Sequence, residues 1–164
     1  MTDEVDGILA AWRTERPDLD VAPMAVLSRV SRLAGVLAER RAEVFARHQV
    51  LAYEFDVLAA LRRAGEPYEL TPGALVAATH VTSGTMTNRV DKLVDRKWVR
   101  RRADGDDGRV VRVRLTALGR RRVDAALTDL LDAERDLLAV LTPAARDRLA
   151  AALRTLTSAA EAGS

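Results

Sequence analysis

The sequence predicts a mainly α-helical fold with a small β-wing, and three observations predict it. Apolar residues recur at helical spacing through most of the 164 residues, in a chain that is 48% hydrophobic with only 4% aromatics. Thr-Pro-Gly-Ala-Leu-Val-Ala-Ala-Thr (71–79) and Thr-Ser-Gly-Thr-Met-Thr-Asn-Arg-Val (82–90) read as two short helices joined by a turn. Beyond them, two alternating segments flank Asp-Gly-Asp-Asp-Gly-Arg (104–109), the pattern of a two-stranded hairpin with a polar tip. Helix, turn, helix and hairpin in that order form a winged helix-turn-helix, here carried between N- and C-terminal helices.

A first helix is expected from Asp3 to Thr14, with Ile8, Leu9 and Trp12 on one side, and it stops before Pro17. Arg16 to Asp20 form a connector. Pro23 suits a first helical position, and Val26, Val30, Leu33 and Leu37 make an apolar stripe on a helix reaching about His48. A third helix, Tyr53 to Ala64, buries Phe55, Leu58 and Leu61 and ends at Gly65. Tyr68 to Leu70 is a short strand.

Thr71 caps the next helix with Pro72 in its first turn, and this helix runs to about Ala78. After a turn at 79–81 the second helix of the unit starts near Thr82 or Ser83. Met86, Val90, Leu93 and Val94 face inward, which leaves Thr85, Thr87, Asn88, Arg89, Lys92 and Arg96 on the other face. Trp98 to Arg102 and Arg109 to Leu115 are the wing strands; Val111, Val113 and Leu115 alternate with Arg112 and Arg114, so the cations face solvent or DNA. A long helix from Thr116 carries Val123, Leu127, Leu130, Glu134, Leu137 and Leu141. Thr142 and Pro143 then open a last one with Leu149, Leu153 and Leu156.

The whole is expected to be one domain over 1–164, with N-terminal helices at 3–48, the winged unit at 53–115 and C-terminal helices at 116–160. The terminal helices offer more apolar stripe than one small winged unit needs. A twofold homodimer accounts for the surplus and presents two reading helices about 34–36 Å apart to palindromic duplex DNA.

Charge distribution supports DNA as the partner. The formal net charge is only +2, yet residues 89–122 hold 13 Lys or Arg against 5 Asp, while the remainder holds 13 basic and 19 acidic residues. One cationic region on an otherwise acidic chain attracts duplex phosphate and orients the approach. With no Cys, disulfides and thiolate metal sites are excluded. The acidic N-terminus precedes no apolar run long enough for a signal peptide or membrane span, so a cytoplasmic location is expected.

No enzyme chemistry is expected and no cofactor. His48 and His80 lack a second ligand at metal-binding spacing and read as surface or helix-end residues. Gly105 and Gly108 belong to a turn, and Asp104, Asp106 and Asp107 to a hairpin tip rather than a metal loop. No Ser lies in a nucleophile motif.

These residues resemble the MarR family of ligand-responsive regulators over nearly the whole chain, most specifically at Ser83 to Leu93 and in Asp-Asp-Gly-Arg (106–109) followed by Val-Arg-Leu-Thr-Ala-Leu-Gly (113–119). Trp12, Glu-Arg-Pro-Asp-Leu-Asp (15–20) and Pro-Met-Ala (23–25) resemble the urate-responsive, PecS-type branch. The resemblance implies a repressor released from a palindromic operator by a small anion, urate or a related purine. It implies ligand contacts from Trp12, Asp56, Arg89 and Arg101: two guanidiniums to fork onto an anionic ring, a carboxylate to accept a ring N–H, and an indole to stack or donate.

Each of these residues has a second reading, Trp12 as a packing staple, Asp56 and Arg89 as a buried ion pair, and Arg101 as a phosphate contact. For DNA the candidates are Ser83, Thr85, Thr87, Asn88 and Lys92 in the major groove, with Arg109 and Arg112 from the wing; Ser83 also reads as a helix cap. At the wing tip Asp106 and Gly108 stand where many family members carry Arg, which weakens the expectation of minor-groove insertion. Two other readings stay open: a regulator answering phenolic or organic acids, and a constitutive DNA-binding protein.

Overall fold

The computed structural model describes residues 2–103 and 111–163. Helices α1 (Glu4–Glu15), α2 (Ala22–Arg47) and α3 (Ala52–Arg63) come first. Strand β1 (Glu69–Leu70), helices α4 (Pro72–Thr79) and α5 (Ser83–Asp95) and strands β2 (Val99–Ala103) and β3 (Val111–Leu115) follow; α6 (Ala117–Leu138) and α7 (Pro143–Ala162) close the chain. The sheet is antiparallel in the order β1-β3-β2. This is the winged helix-turn-helix expected from the sequence.

Local chemistry places each boundary. Asp3 caps α1 through a reciprocal pair of bonds with Asp6, and Thr71, Thr82, Thr116 and Thr142 each accept a backbone N–H at the start of α4, α5, α6 and α7. Gly65, at φ 76°, takes the left-handed backbone that follows the end of α3. α6 ends earlier than its apolar stripe suggests: Leu138 is its last residue, and Leu141 lies in the turn to α7, where its N–H donates to the Leu138 carbonyl.

The main core gathers Val57, Leu58 and Leu61 of α3, Leu75 of α4, Met86, Val90 and Leu93 of α5, Val113 and Leu115 of β3, and Val123 and Leu130 of α6. A separate small cluster joins Val5 and Leu9 of α1 to Val21, Met24 and Ala25, so only the first turns of α1 are anchored apolarly. Arg29 reinforces that joint by bonding both Asp3 and Asp6.

Trp98 does not start the wing strand but lies buried in the core, with β2 beginning at Val99. Its carbonyl accepts from the Thr116 hydroxyl and backbone N–H, which ties the strand's start to that of α6. Gly119 packs against this same carbonyl so closely that a Cβ there would overlap it. Backbone cannot swing aside as a flexible side chain can. Gly119→Ala is therefore expected to cost at least the typical 1–3 kcal/mol of overpacking, about what urea denaturation resolves cleanly.

Candidate DNA interface and ligand cleft

α5 is built to be read from outside. Met86, Val90 and Leu93 are buried, while Ser83, Thr85, Thr87, Asn88 and Lys92 are exposed. Thr82 is the cap, so Ser83 is the first helical residue and its side chain is not occupied in capping. The Thr87 hydroxyl donates to the Ser83 carbonyl and the Thr82 and Thr85 hydroxyls lie 3.0 Å apart, whereas Asn88 makes no hydrogen bond among the described residues. A face of short polar groups with one amide and one ammonium suits phosphates at its edges and base edges at its centre.

Arg96 does not join that face. As the cap following α5 it turns inward: one guanidinium nitrogen reaches both carboxylate oxygens of Glu54 at 2.8 and 2.6 Å, another donates to the Gln49 carbonyl, and the group stacks 3.7 Å over the Trp98 ring. Glu54 is 2% exposed, and its second task is to accept the Leu51 N–H at the start of α3. A buried carboxylate needs such a partner. Arg96 is thus a fold residue, and helical periodicity misplaced it because α5 ends at Asp95.

On the wing, Arg112 stands opposite Arg102 with its Nε 3.9 Å from Glu69. Arg109 and the tip residues Asp104, Gly105, Asp106, Asp107 and Gly108 lie outside the described residues. His48 and His80 both stand at helix ends, capping α2 and α4, and His48 Nε2 sits 2.9 Å from Asp129 of α6.

The ligand candidates are distributed as follows. Arg89 lies over the Tyr53 ring at 5.2 Å with Lys92 at 5.7 Å, so Tyr53 holds two α5 cations against α3. No hydrogen bond or ion pair joins Arg89 to Asp56, and the two are not a buried ion pair, because Asp56 is solvent-accessible. Arg101 pairs with Asp91 of α5 at 2.5 Å. Trp12 is 46% exposed, past the anchored turns of α1, and does not staple it within the protomer.

Asp56 lines a cleft of about 260 Å³ with Phe55, Ala59 and Arg63 of α3 on one side and Ala78, Thr79 and His80 on the other. Trp12, Arg89 and Arg101 are not among its lining residues. The concave wall desolvates Asp56 and raises its pKa; Arg89, then Arg41 and Arg63, act in the opposite direction without cancelling the effect. A carboxylate held above its ordinary range beside Arg63 and His80 is a poised acceptor for a ring N–H.

Sequence reading missed Arg63, Thr79 and His80. His80 has a left-handed backbone (φ 52°) that marks it as the turn of the helix-turn-helix, but nothing in its sequence context places it across a cleft from Asp56.

The surplus apolar surface is real. No residue of α7 is buried, and Leu149 and Leu153 line an open groove of about 420 Å³ with Val26, Val30, Leu33 and Leu37 of α2. No helix among the described residues is long and apolar enough to cross a membrane.

Residues 48–110 match the MarR family. Over 150 residues the chain is 37% identical to the HTH-type transcriptional regulator PecS of Dickeya dadantii, covering 92% of this chain and 90% of that protein. Among solved structures it is similar to Bordetella bronchiseptica BpsR, whose DNA binding is regulated by 6-hydroxynicotinic acid (26% identity, TM-score 0.62, 79% and 98% of the two chains). It shares a fold with a MarR family protein of Bacillus stearothermophilus at 23% identity (TM-score 0.73, 87% and 99%). A likeness to PecS that spans nearly the full length of both chains, on a fold of DNA-binding regulators rather than enzymes, shows that this protein belongs to the MarR family of transcriptional regulators.

Proposed function

We propose that the protein is a homodimeric repressor that grips a palindromic operator with its two α5 helices and is released by a small anionic ligand, urate or a related purine. One observation carries the ligand part: the cleft beside Asp56 is walled by α3 on one side and by the α4–α5 turn on the other. Anything seated there touches the element that sets the pose of the reading helix. Arg89, over the Tyr53 ring and next along α5 to Asn88, is placed to swing from the DNA side towards an anion near Asp56. Trp12 and Arg101 complete the set in the ligand-bound dimer. Ser83, Thr85, Thr87, Asn88 and Lys92 contact DNA, joined by Arg109 and Arg112 from the wing.

α7, a 20-residue helix with no buried residue, supports the dimer. Most of a helix's stability in a protein comes from packing its apolar face, and α7 packs none of its residues into its own protomer's core. Covering α7 and the α2 stripe with a second copy removes the exposed leucines and sets the spacing of the reading heads.

A smaller aromatic acid is the second reading. The cleft's own Arg63 and His80 favour it, as does the likeness to BpsR, which answers 6-hydroxynicotinic acid. Thermal-shift titration with urate, xanthine, 6-hydroxynicotinate and salicylate separates the two readings. A shift with urate that Asp56→Asn abolishes supports the purine; a shift with 6-hydroxynicotinate alone replaces it; no shift with any rejects ligand control at this cleft.

Asp56→Asn carries its own stability signature. Because the folded-state pKa of Asp56 is raised, its ionised form costs stability at neutral pH, and that cost is absent below the ordinary aspartate pKa. The variant is expected to melt at or above the wild-type temperature at pH 7. The gap narrows as pH falls through the raised pKa and closes in acid. A variant less stable at neutral pH than wild type makes Asp56 a structural residue instead.

A further inference from the structure

The side-chain amines of this chain are confined to one place. Of its 26 Lys and Arg, 24 are Arg, and the two lysines are Lys92, in the last turn of α5, and Lys97, just past its end. A guanidinium stays protonated in a protein, whereas a lysine amine that has lost its proton attacks acyl carbon. With no Cys, no thiol competes. Composition therefore steers side-chain acylation to the reading helix and its exit.

The structure leaves both amines open. Lys92 and Lys97 are exposed, and neither side chain makes a hydrogen bond or ion pair among the described residues. Asp91, the acid next to Lys92, is engaged by Arg101. Lys92 Nζ lies 5.7 Å over the Tyr53 ring, which it shares with Arg89 at 5.2 Å. A cation–π contact at an exposed site is weak, so it does not lock the ammonium in place. The two lysines are not equivalent: Lys92 stands one helical turn from Asn88 on the exposed face of α5, while Lys97 takes a left-handed backbone (φ 59°) in the turn to β2.

We infer that Lys92 is an acylation site, and that its modification by an acyl phosphate or an acyl thioester releases the protein from DNA. The inference rests on the reading of α5 as the DNA-reading helix and adds to it a chemical control separate from the ligand cleft. The Lys92 amine attacks the acyl carbon, and a C–N bond forms as the C–O bond to phosphate or the C–S bond to the thiol breaks. Inorganic phosphate or the free thiol leaves, and the amine's proton passes to the leaving group or to water. The product is a neutral amide, so each reading helix loses one cation and its contact with Tyr53. Arg at this position would carry the same charge and be closed to the reaction.

The test uses the full-length protein and a palindromic duplex selected by it from a random pool. Protein is treated with acetyl phosphate in one arm and acetyl-coenzyme A in the other, the acetyl groups are located by peptide mass mapping, and duplex affinity is measured at several salt concentrations. Acetylation of Lys92 is expected in at least one arm, and the reactive arm identifies the class of donor. Affinity of the modified dimer should fall about 10²-fold, about tenfold for each reading helix, and its salt slope should drop by about 2 where the lost contacts are to phosphate. Duplex bound before treatment should shield Lys92. Lys97→Arg should respond as wild type does. Lys92→Arg, whatever its starting affinity, should keep that affinity after treatment although Lys97 still reacts.

The melting temperature should not change on acetylation, because Lys92 is exposed, so unfolding cannot imitate the loss. Lys92 left unmodified in both arms overturns the inference. So does a Lys92-acetylated protein that binds as tightly as the untreated one, or a Lys92→Arg variant that loses affinity on treatment as wild type does. Failure of the untreated wild type to bind any duplex instead removes the DNA-binding reading on which the inference rests.

Discussion

Leu33→Asp/Leu153→Asp is expected to sediment as single subunits and to lose about 10²–10⁴-fold in operator affinity. Leu33 and Leu153 are 44% and 38% exposed and meet in the groove between α2 and α7. Exposed leucines scattered singly need no explanation, but here they line two facing helices, one of which buries nothing in its own protomer. A carboxylate in each patch sets four like charges at a twofold contact, which no dimer of ordinary size tolerates when they are desolvated. DNA affinity falls with the dimer because one reading helix no longer places the other at high effective concentration. Sedimentation velocity and duplex binding on one preparation check both halves. A variant that stays dimeric moves the interface away from this groove.

Arg96→Ala is expected to cost about 3–5 kcal/mol, because it leaves the buried Glu54 carboxylate without its cation. Truncation also removes the guanidinium stacked on Trp98 and the bond to the Gln49 carbonyl. Adding Glu54→Gln should restore part of the loss: a neutral amide oxygen still accepts the Leu51 N–H, and no buried charge is left over. Urea denaturation of the single and double variants measures this directly. If Arg96→Ala folds as stably as wild type but binds DNA weakly, Arg96 belongs to the reading face after all.

That same residue shows where sequence reasoning stopped. Helical spacing assigned Arg96 to the polar side of α5, and the spacing is sound; what it cannot see is that the helix ends one residue earlier and that Glu54, 42 positions away, waits beneath. Elements with strong local signals were legible. Thr71 with Pro72, Thr82 and Thr142 with Pro143 each start the helix they were expected to start or adjoin, and Met86, Val90 and Leu93 face the core as period 3.6 requires. Leu141 misled because an apolar residue continues a stripe in phase whether or not the backbone is still helical.

The candidate site was legible unevenly for the same reason. Exposure of Ser83, Thr85, Thr87, Asn88 and Lys92 follows from which face of one helix is apolar, so it is local information. Asp56 came from a resemblance. The cleft around it did not, since Arg63 and His80 meet across space only after α3 packs on α4. Tyr53 likewise shows no sign in sequence of holding Arg89 and Lys92, which approach it from another helix.

Ligand and DNA are linked in this account through the turn between α4 and α5, and by reciprocity each must weaken the other. The most direct measurement follows fluorescence anisotropy of the labelled selected duplex on wild-type protein while urate is titrated in. The predicted result is a duplex Kd that rises by about 5–150-fold at saturating urate, the range set by 1–3 kcal/mol of coupling, with no rise for Asp56→Asn. A duplex Kd that stays constant while urate still raises the melting temperature would contradict it, because the ligand would then bind without favouring the DNA-incompetent state.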